Sequence, residues 1–159
     1  MKVKGVVDED FVNYAKPSMF VSFPICSFKC DRENGCQCCQ NMPLASMPDI
    51  DVDPKALVRR YLDNDITHAI VFGGLDPMDS FKDLLDVIHI LRVDFGCDDD
   101  VVIYTGYDKQ EVGAYLKALS EYGNIIIKYG RFRPHQPRHL DPVLGVELAS
   151  DNQYAERLS

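Results

Sequence analysis

The sequence is short of the features that mark a membrane protein or a nucleic-acid binder. No apolar run approaches the ~20 residues a membrane span needs. No basic run offsets the excess of 25 acidic over 17 basic residues, which leaves a formal charge of -8. Nucleic-acid affinity rests on many lysine and arginine contacts with phosphates, so that partner is disfavoured. The segment Met1 to Asp10 turns acidic before any apolar stretch develops; it does not read as a secretory signal, and the expected compartment is the cytoplasm. Linkers, low-complexity segments and solenoid repeats are also missing, so residues 1–159 are expected to form one domain. Groups for acid-base catalysis stand out nowhere. His68 and His89 fall within strand and helix patterns, and no pair of carboxylates has a suggestive context.

What the sequence does have is cysteine, concentrated in one place. Five of six lie between Phe23 and Asn41, at positions 26, 30, 36, 38 and 39, directly after an apolar run. In a reducing compartment such crowded thiols read as metal ligands or redox groups, because a disulfide framework would distribute them. Thiolates are the soft ligands that iron-sulfur clusters and zinc take. Three of them can hold three irons of a cubane and leave the fourth open to a substrate. Four, such as Cys26, Cys30, Cys36 and Cys39, can close around structural zinc without catalysis. Spacing leaves the ligand set open, since eight residues separate the Cys26-x3-Cys30 pair from Cys39, with Cys36 and Cys38 intervening. Cys97, far from the loop, reads as a small, partly buried residue.

The rest of the chain alternates strand and helix signals. Residues 1–16 read as a short strand or arm, and Ser18 to Phe23 as a strand stopped by Pro24. Asp53-Pro54 starts a helix reaching about Asn64. His68 to Gly74 reads as a buried strand, and Ser80 with Asp83 as a capping box for the following helix. Asp100 to Gly106 repeats the strand, Asp108 with Glu111 repeats the cap, and Asn124 to Gly130 is a third apolar run. A loop is expected over 131–140, a last strand within 143–149, and one more helical turn after Ser150. This alternation predicts an α/β fold with a mainly parallel sheet and ligands at the strands' carboxyl ends, Pro24, Gly73, Gly106 and Gly130. Met19, Phe20 and Phe23 are expected in the core. The cationic island of Lys128, Arg131, Arg133, His135, Arg138 and His139 suits an anionic ligand or an acidic patch on a partner.

The Cys-x3-Cys pair after a strand, the later cysteine and the Gly-Gly strand end together resemble the radical S-adenosylmethionine enzymes, although their usual motif is Cys-x3-Cys-x2-Cys. Seven segments in order narrow the likeness: Asp10-Phe-Val-Asn13, Met19-Phe-Val-Ser22, Cys39-Gln-Asn41, Phe72-Gly-Gly-Leu-Asp-Pro77, Tyr104-Thr-Gly-Tyr107, Gly130-Arg-Phe132 and Ser150-Asp-Asn-Gln153. They look like the activating proteins of anaerobic (class III) ribonucleotide reductase. The resemblance implies a partial, open (β/α) barrel with its cluster loop at 24–41. It implies that Cys26, Cys30 and Cys39 hold a 4Fe-4S cluster, because the family's third cysteine is followed by x-Asn, as Cys39 is by Gln40-Asn41. Cys38 stands where the family usually has an aromatic residue. S-adenosylmethionine is then the expected cofactor, with Asn41, Gly73, Gly74 and Asp76 beside it and Asp76 accepting its ammonium. Thr105 and Lys128, at the next strand ends, are candidates for its ribose or carboxylate. The implied activity is reductive cleavage to a 5'-deoxyadenosyl radical that takes hydrogen from a backbone glycine of the reductase. The implied partners are that reductase and a reduced flavodoxin- or ferredoxin-type electron donor.

Overall fold

The computed structural model describes residues 1–159. In chain order the strands are β1 (Lys2–Val3), β2 (Gly5–Asp10), β3 (Ser18–Phe23), β4 (Ile50–Asp51), β5 (Ala69–Gly74), β6 (Asp100–Tyr104), β7 (Ile125–Tyr129), β8 (His139–Asp141), β9 (Val146–Leu148) and β10 (Tyr154–Arg157). The α-helices are α1 (Lys29–Asn34), α2 (Met42–Ala45), α3 (Pro54–Leu62), α4 (Phe81–His89) and α5 (Gly113–Leu119). Six strands form the central sheet in the order β10-β7-β6-β5-β3-β2. The inner four, β3, β5, β6 and β7, run parallel, while β2 and β10 join antiparallel at the edges. The fold is therefore α/β with a mixed, mainly parallel sheet. It stays open at β2 and β10, and no closed barrel forms.

Side-chain alternation explains why the helices gather on one face. Met19, Val21 and Phe23 of β3, Ile70 and Phe72 of β5, Val101 and Ile103 of β6, and Ile125 and Ile127 of β7 pack in a single cluster with residues of α3, α4 and α5. The opposite face buries a smaller group, in which Val71, Val102 and Ile126 meet Tyr14, Leu144 and Leu148. With no helical layer there, that face is free to hold a cavity at the carboxyl ends. No helix is long and apolar enough to cross a membrane.

Local signals were met unevenly. The Asp53 carboxylate accepts from Ala56 N at 2.9 Å and caps α3. The Glu111 carboxylate accepts from Asp108 N at 2.8 Å ahead of α5. Ser80, in contrast, makes no capping bond. The chain has already turned in a 3-10 helix over Pro77–Ser80, and Asp76 caps that turn by accepting from Met78 N at 3.0 Å. The expected last strand is confined to β9, which pairs with β8 apart from the main sheet. No helical turn follows Ser150. The Gln153 side chain instead accepts from the amides of Ala149 and Ser150, and Tyr154 starts β10.

Candidate metal centre

The cysteine loop leaves β3 at Phe23 and is pinned to the neighbouring strand end where Asp76 N donates to Ile25 O at 3.0 Å. Phe28, in the left-handed region at φ 52, turns the chain into α1, and Gly35 at φ 66 ends that helix. Cys26, Cys30 and Cys39 line one cavity of about 470 Å3; Cys36 is exposed, Cys38 is half-buried, and neither lines it. Asp31 explains this division. Its backbone carbonyl accepts from Cys36 N at 3.2 Å, and its Oδ1 accepts from Cys38 N at 2.9 Å and Cys39 N at 2.8 Å. The long insert is thus a short helix and a turn folded onto one carboxylate, which returns the chain to the cavity at Cys39.

Burial pushes the Cys26 thiol up to about 12, against a bond from Phe28 N–H, with the charges of Asp76, Asp79 and Cys39 adding to the rise. Burial also raises Cys30, opposed by a backbone bond from Phe132, and Cys39 raises it further. Cys39 thus lies within electrostatic reach of both other thiols. Without metal the raised Cys26 and Cys30 thiols hold their protons, and a metal ion that replaces the protons is what turns them into ligands.

Three further residues, Asn34, Arg131 and Asp79, clamp the loop. Asn34 Nδ2 donates to Cys30 O at 2.8 Å and to Phe132 O at 2.9 Å. Arg131, buried, holds Glu111 through Nη1 and Nη2 at 2.7 and 2.6 Å, while its Nε lies 2.9 Å from Glu33 of α1. Asp79 accepts from Ser27 N at 2.8 Å and from the Tyr107 hydroxyl.

The rim of the cavity gathers five of the six residues expected around a cofactor: Asn41, Gly74, Asp76, Thr105 and Lys128. Gly73 is the exception. It lies beneath Phe20, whose Cζ would sit 3.1 Å from an added Cβ, and it does not line the space. Phe20, expected in the core, packs half-buried against the smaller cluster and also lines the cavity. Asn41 Nδ2 donates to Gly74 O at 2.6 Å, closing the cysteine loop onto β5. Gly74 has φ +78, and a Cβ there would come 2.8 Å from Ser22 Cβ and 2.9 Å from Leu44 Cδ2, so the approach requires bare backbone.

Asp76 is buried, and burial pushes its carboxyl up to about 6, against bonds from Gly106 N, Met78 N and the Thr105 hydroxyl. Thr105 is therefore engaged with Asp76 and also accepts from Tyr107 N at 3.1 Å. Lys128 is buried as well. Burial pulls it down to about 8, countered by the charges of Asp76 and Cys30, and its Nζ donates to Gly130 O at 3.0 Å. An ammonium carries three donors, and Gly130 O takes one. The cationic island is thus divided: Lys128 and Arg131 turn inward, while Arg133, His135 and Arg138 are exposed.

Sequence reasoning missed Asp31, Asn34, Asp79 and Tyr107. Asp31, Asn34 and Asp79 belong to no recognisable motif, Tyr107 closes the Tyr104-Thr-Gly-Tyr107 segment without a role assigned to it there, and each acts through a fold contact. The four-thiolate zinc set is not assembled, since Cys36 stands outside the cavity and no three His, Cys, Asp or Glu side chains gather closely enough for one ion. A cubane asks for something wider, because each thiolate binds a different iron. Three soft thiols facing one cavity fit that group.

An α/β protein with this donor set at the carboxyl ends of parallel strands belongs to the iron-sulfur class. The chain is a member of the 4Fe-4S single cluster domain family, whose model matches residues 16–153, from the approach to β3 to the residue before β10. No curated protein and no solved structure matches it.

Proposed function

We propose that this chain is a radical S-adenosylmethionine enzyme that activates anaerobic ribonucleotide reductase in the cytoplasm, with Cys26, Cys30 and Cys39 as cluster ligands. The observation that carries this reading is that three thiols, not four, face a cavity that continues past them to a buried ammonium, Lys128. Three protein thiolates leave one iron of a cubane for the amino and carboxylate groups of a substrate. When bound and reduced by a flavodoxin- or ferredoxin-type donor, the cluster supplies the electron that cleaves S-adenosylmethionine to methionine and a 5'-deoxyadenosyl radical.

The chain's own residues orient that cofactor. Lys128 offers its free N–H donors to the carboxylate, and Asp76 presents an acceptor to the ammonium from the same cavity wall. Asn41 fixes the Gly74 edge against which the cofactor lies, and Thr105 steadies the Asp76 carboxylate. The radical takes a hydrogen atom from a glycine Cα of the reductase, giving 5'-deoxyadenosine and a glycyl radical. The open sheet, with α3, α4 and α5 packed on one face only, leaves a side through which a glycine-bearing loop can reach the cavity.

Anaerobic reconstitution tests this reading. The protein should turn brown with about four irons per chain, release 5'-deoxyadenosine after reduction, and raise a glycyl radical signal when the reductase is present. A brown protein that releases no 5'-deoxyadenosine overturns it. Release without any radical on the reductase keeps the chemistry and reassigns the substrate.

A further inference from the structure

We infer that the 131–138 loop and the outer surface of α1 form the docking face for an acidic one-electron carrier protein that reduces the cluster. The inference rests on the reductive use of the cluster proposed above and locates where the electron arrives. From Asn124 to Leu140 the chain has no Asp or Glu but carries Lys128, Arg131, Arg133 and Arg138, in a protein of formal charge -8. Lys128 faces the cavity, and Arg131 is consumed by Glu111 and Glu33. Arg133, Arg138 and, on α1, Arg32 are exposed, and none of the three makes an ion pair. Unpaired guanidinium groups keep their full field, so this face is opposite in sign to the molecule as a whole and attracts an acidic partner.

The same face lies against a cluster ligand. Asn34 spans from the loop to Cys30, donating to Phe132 O at 2.9 Å and to Cys30 O at 2.8 Å, and the Phe132 backbone also bonds the Cys30 thiol. A small recess lined by Cys26, Lys29, Cys30, Tyr107 and Arg131 also brings two of the thiols to the surface. The carrier can therefore approach the cluster there while the large cavity holds its own ligand. The transfer is one electron from the carrier's cofactor to the cluster, with no bond made or broken.

The test uses the full chain, reconstituted anaerobically, with flavodoxin as the acidic carrier. Oxidised flavodoxin is titrated in and its flavin anisotropy followed; reduced flavodoxin is then mixed in and bleaching of the cluster's visible absorbance timed. The double variant Arg133→Glu, Arg138→Glu should weaken binding and slow bleaching by at least about tenfold at low salt, an effect that shrinks as salt rises. The double variant Arg59→Glu, Lys117→Glu, on α3 and α5, changes net charge equally and should stay within about twofold of the parent. Bleaching by dithionite should match in all three proteins. No loss in the first variant, or equal loss in both, overturns the docking face. Loss of reductase activation with flavodoxin reduction intact assigns the face to the reductase and also overturns it. The binding and bleaching measurements need no S-adenosylmethionine, so a failure to release 5'-deoxyadenosine would strike the enzymatic reading and leave this result standing.

Discussion

Asp31 Oδ1 accepts the backbone N–H of Cys39 at 2.8 Å, and the same oxygen accepts from Cys38 at 2.9 Å. One carboxylate therefore sets where the third thiol of the cavity stands. Asp31→Ala removes both bonds and leaves the insert without its anchor. Hydrogen bonds to a charged acceptor contribute about 1.5–3 kcal/mol each, so chelator-driven iron loss should quicken by about tenfold or more. Asp31→Asn keeps an amide oxygen as acceptor and should restore much of the hold. Iron release timed against a chelator decides, and equal rates in all three proteins would reject the anchoring role.

The three loop cysteines after Cys30 should separate sharply in iron content. Cys39→Ala is expected to abolish cluster binding, because of the three only Cys39 lines the cavity. Cys36→Ala and Cys38→Ala should each retain nearly all the iron. Iron analysis after anaerobic reconstitution checks this, and an empty site in Cys36→Ala would show that the chosen ligand set is wrong.

The parallel strands were legible because each is a nearly continuous apolar run ended by Pro or Gly, as strands buried on both faces are. β10 was not: Tyr154 to Arg157 is short and polar, and only its place against β7 makes it a strand. Sequence spacing left Cys36, Cys38 and Cys39 equivalent. What distinguishes them is a carboxylate seven and eight residues away within an irregular loop, which no periodicity announces. The Thr105 to Asp76 bond was equally hidden, since those residues stand 29 apart and meet only because β5 and β6 are neighbours. Ser80 matched a capping pattern, but the preceding turn had already met the need for a cap.

Gly74 is sterically constrained as well as conformationally special. Its φ of +78 disfavours a side chain, and a Cβ would press on Ser22 and Leu44 at under 3 Å. Gly74→Ala should cost about 1–3 kcal/mol, lowering the melting temperature of the metal-free protein by roughly 3–10 °C. Gly5→Ala is the control, since nothing lies within 4 Å of its added Cβ. Thermal unfolding of both variants decides, and similar small shifts would contradict the packing argument.

The Arg131 guanidinium holds the Glu111 carboxyl down at about 2, well below its ordinary 4.5. A depressed carboxyl binds fewer protons folded than unfolded, so its stabilisation is present above about pH 4.5 and is lost as pH falls toward 2. Glu111 is one-third exposed, which limits the contribution to about 1 kcal/mol after solvent screening. Glu111→Gln should therefore melt about 2–4 °C lower at neutral pH, with the gap closing between about pH 4.5 and 2. Unfolding curves of both proteins across that range test the sign. A gap that persists unchanged to pH 2 would mean that the ion pair contributes nothing.

Lys128 places stability and ligand binding in opposition. Its ammonium is buried, bonds only Gly130 O, and is pulled down to about 8 by burial, so the folded protein is strained by a charge that its own groups satisfy incompletely. An apolar side chain of similar length removes that desolvation cost. Lys128→Met should accordingly leave the melting temperature of the metal-free protein unchanged or raise it. It should also weaken S-adenosylmethionine binding by about tenfold or more, because a charge-assisted bond to the cofactor's carboxylate is lost. Lys128→Arg keeps the charge but not the shape, and should recover only part of the affinity. Equilibrium binding to the reconstituted protein, set beside thermal unfolding of the metal-free one, reads both effects. Reduced stability together with unchanged binding would make Lys128 a structural residue.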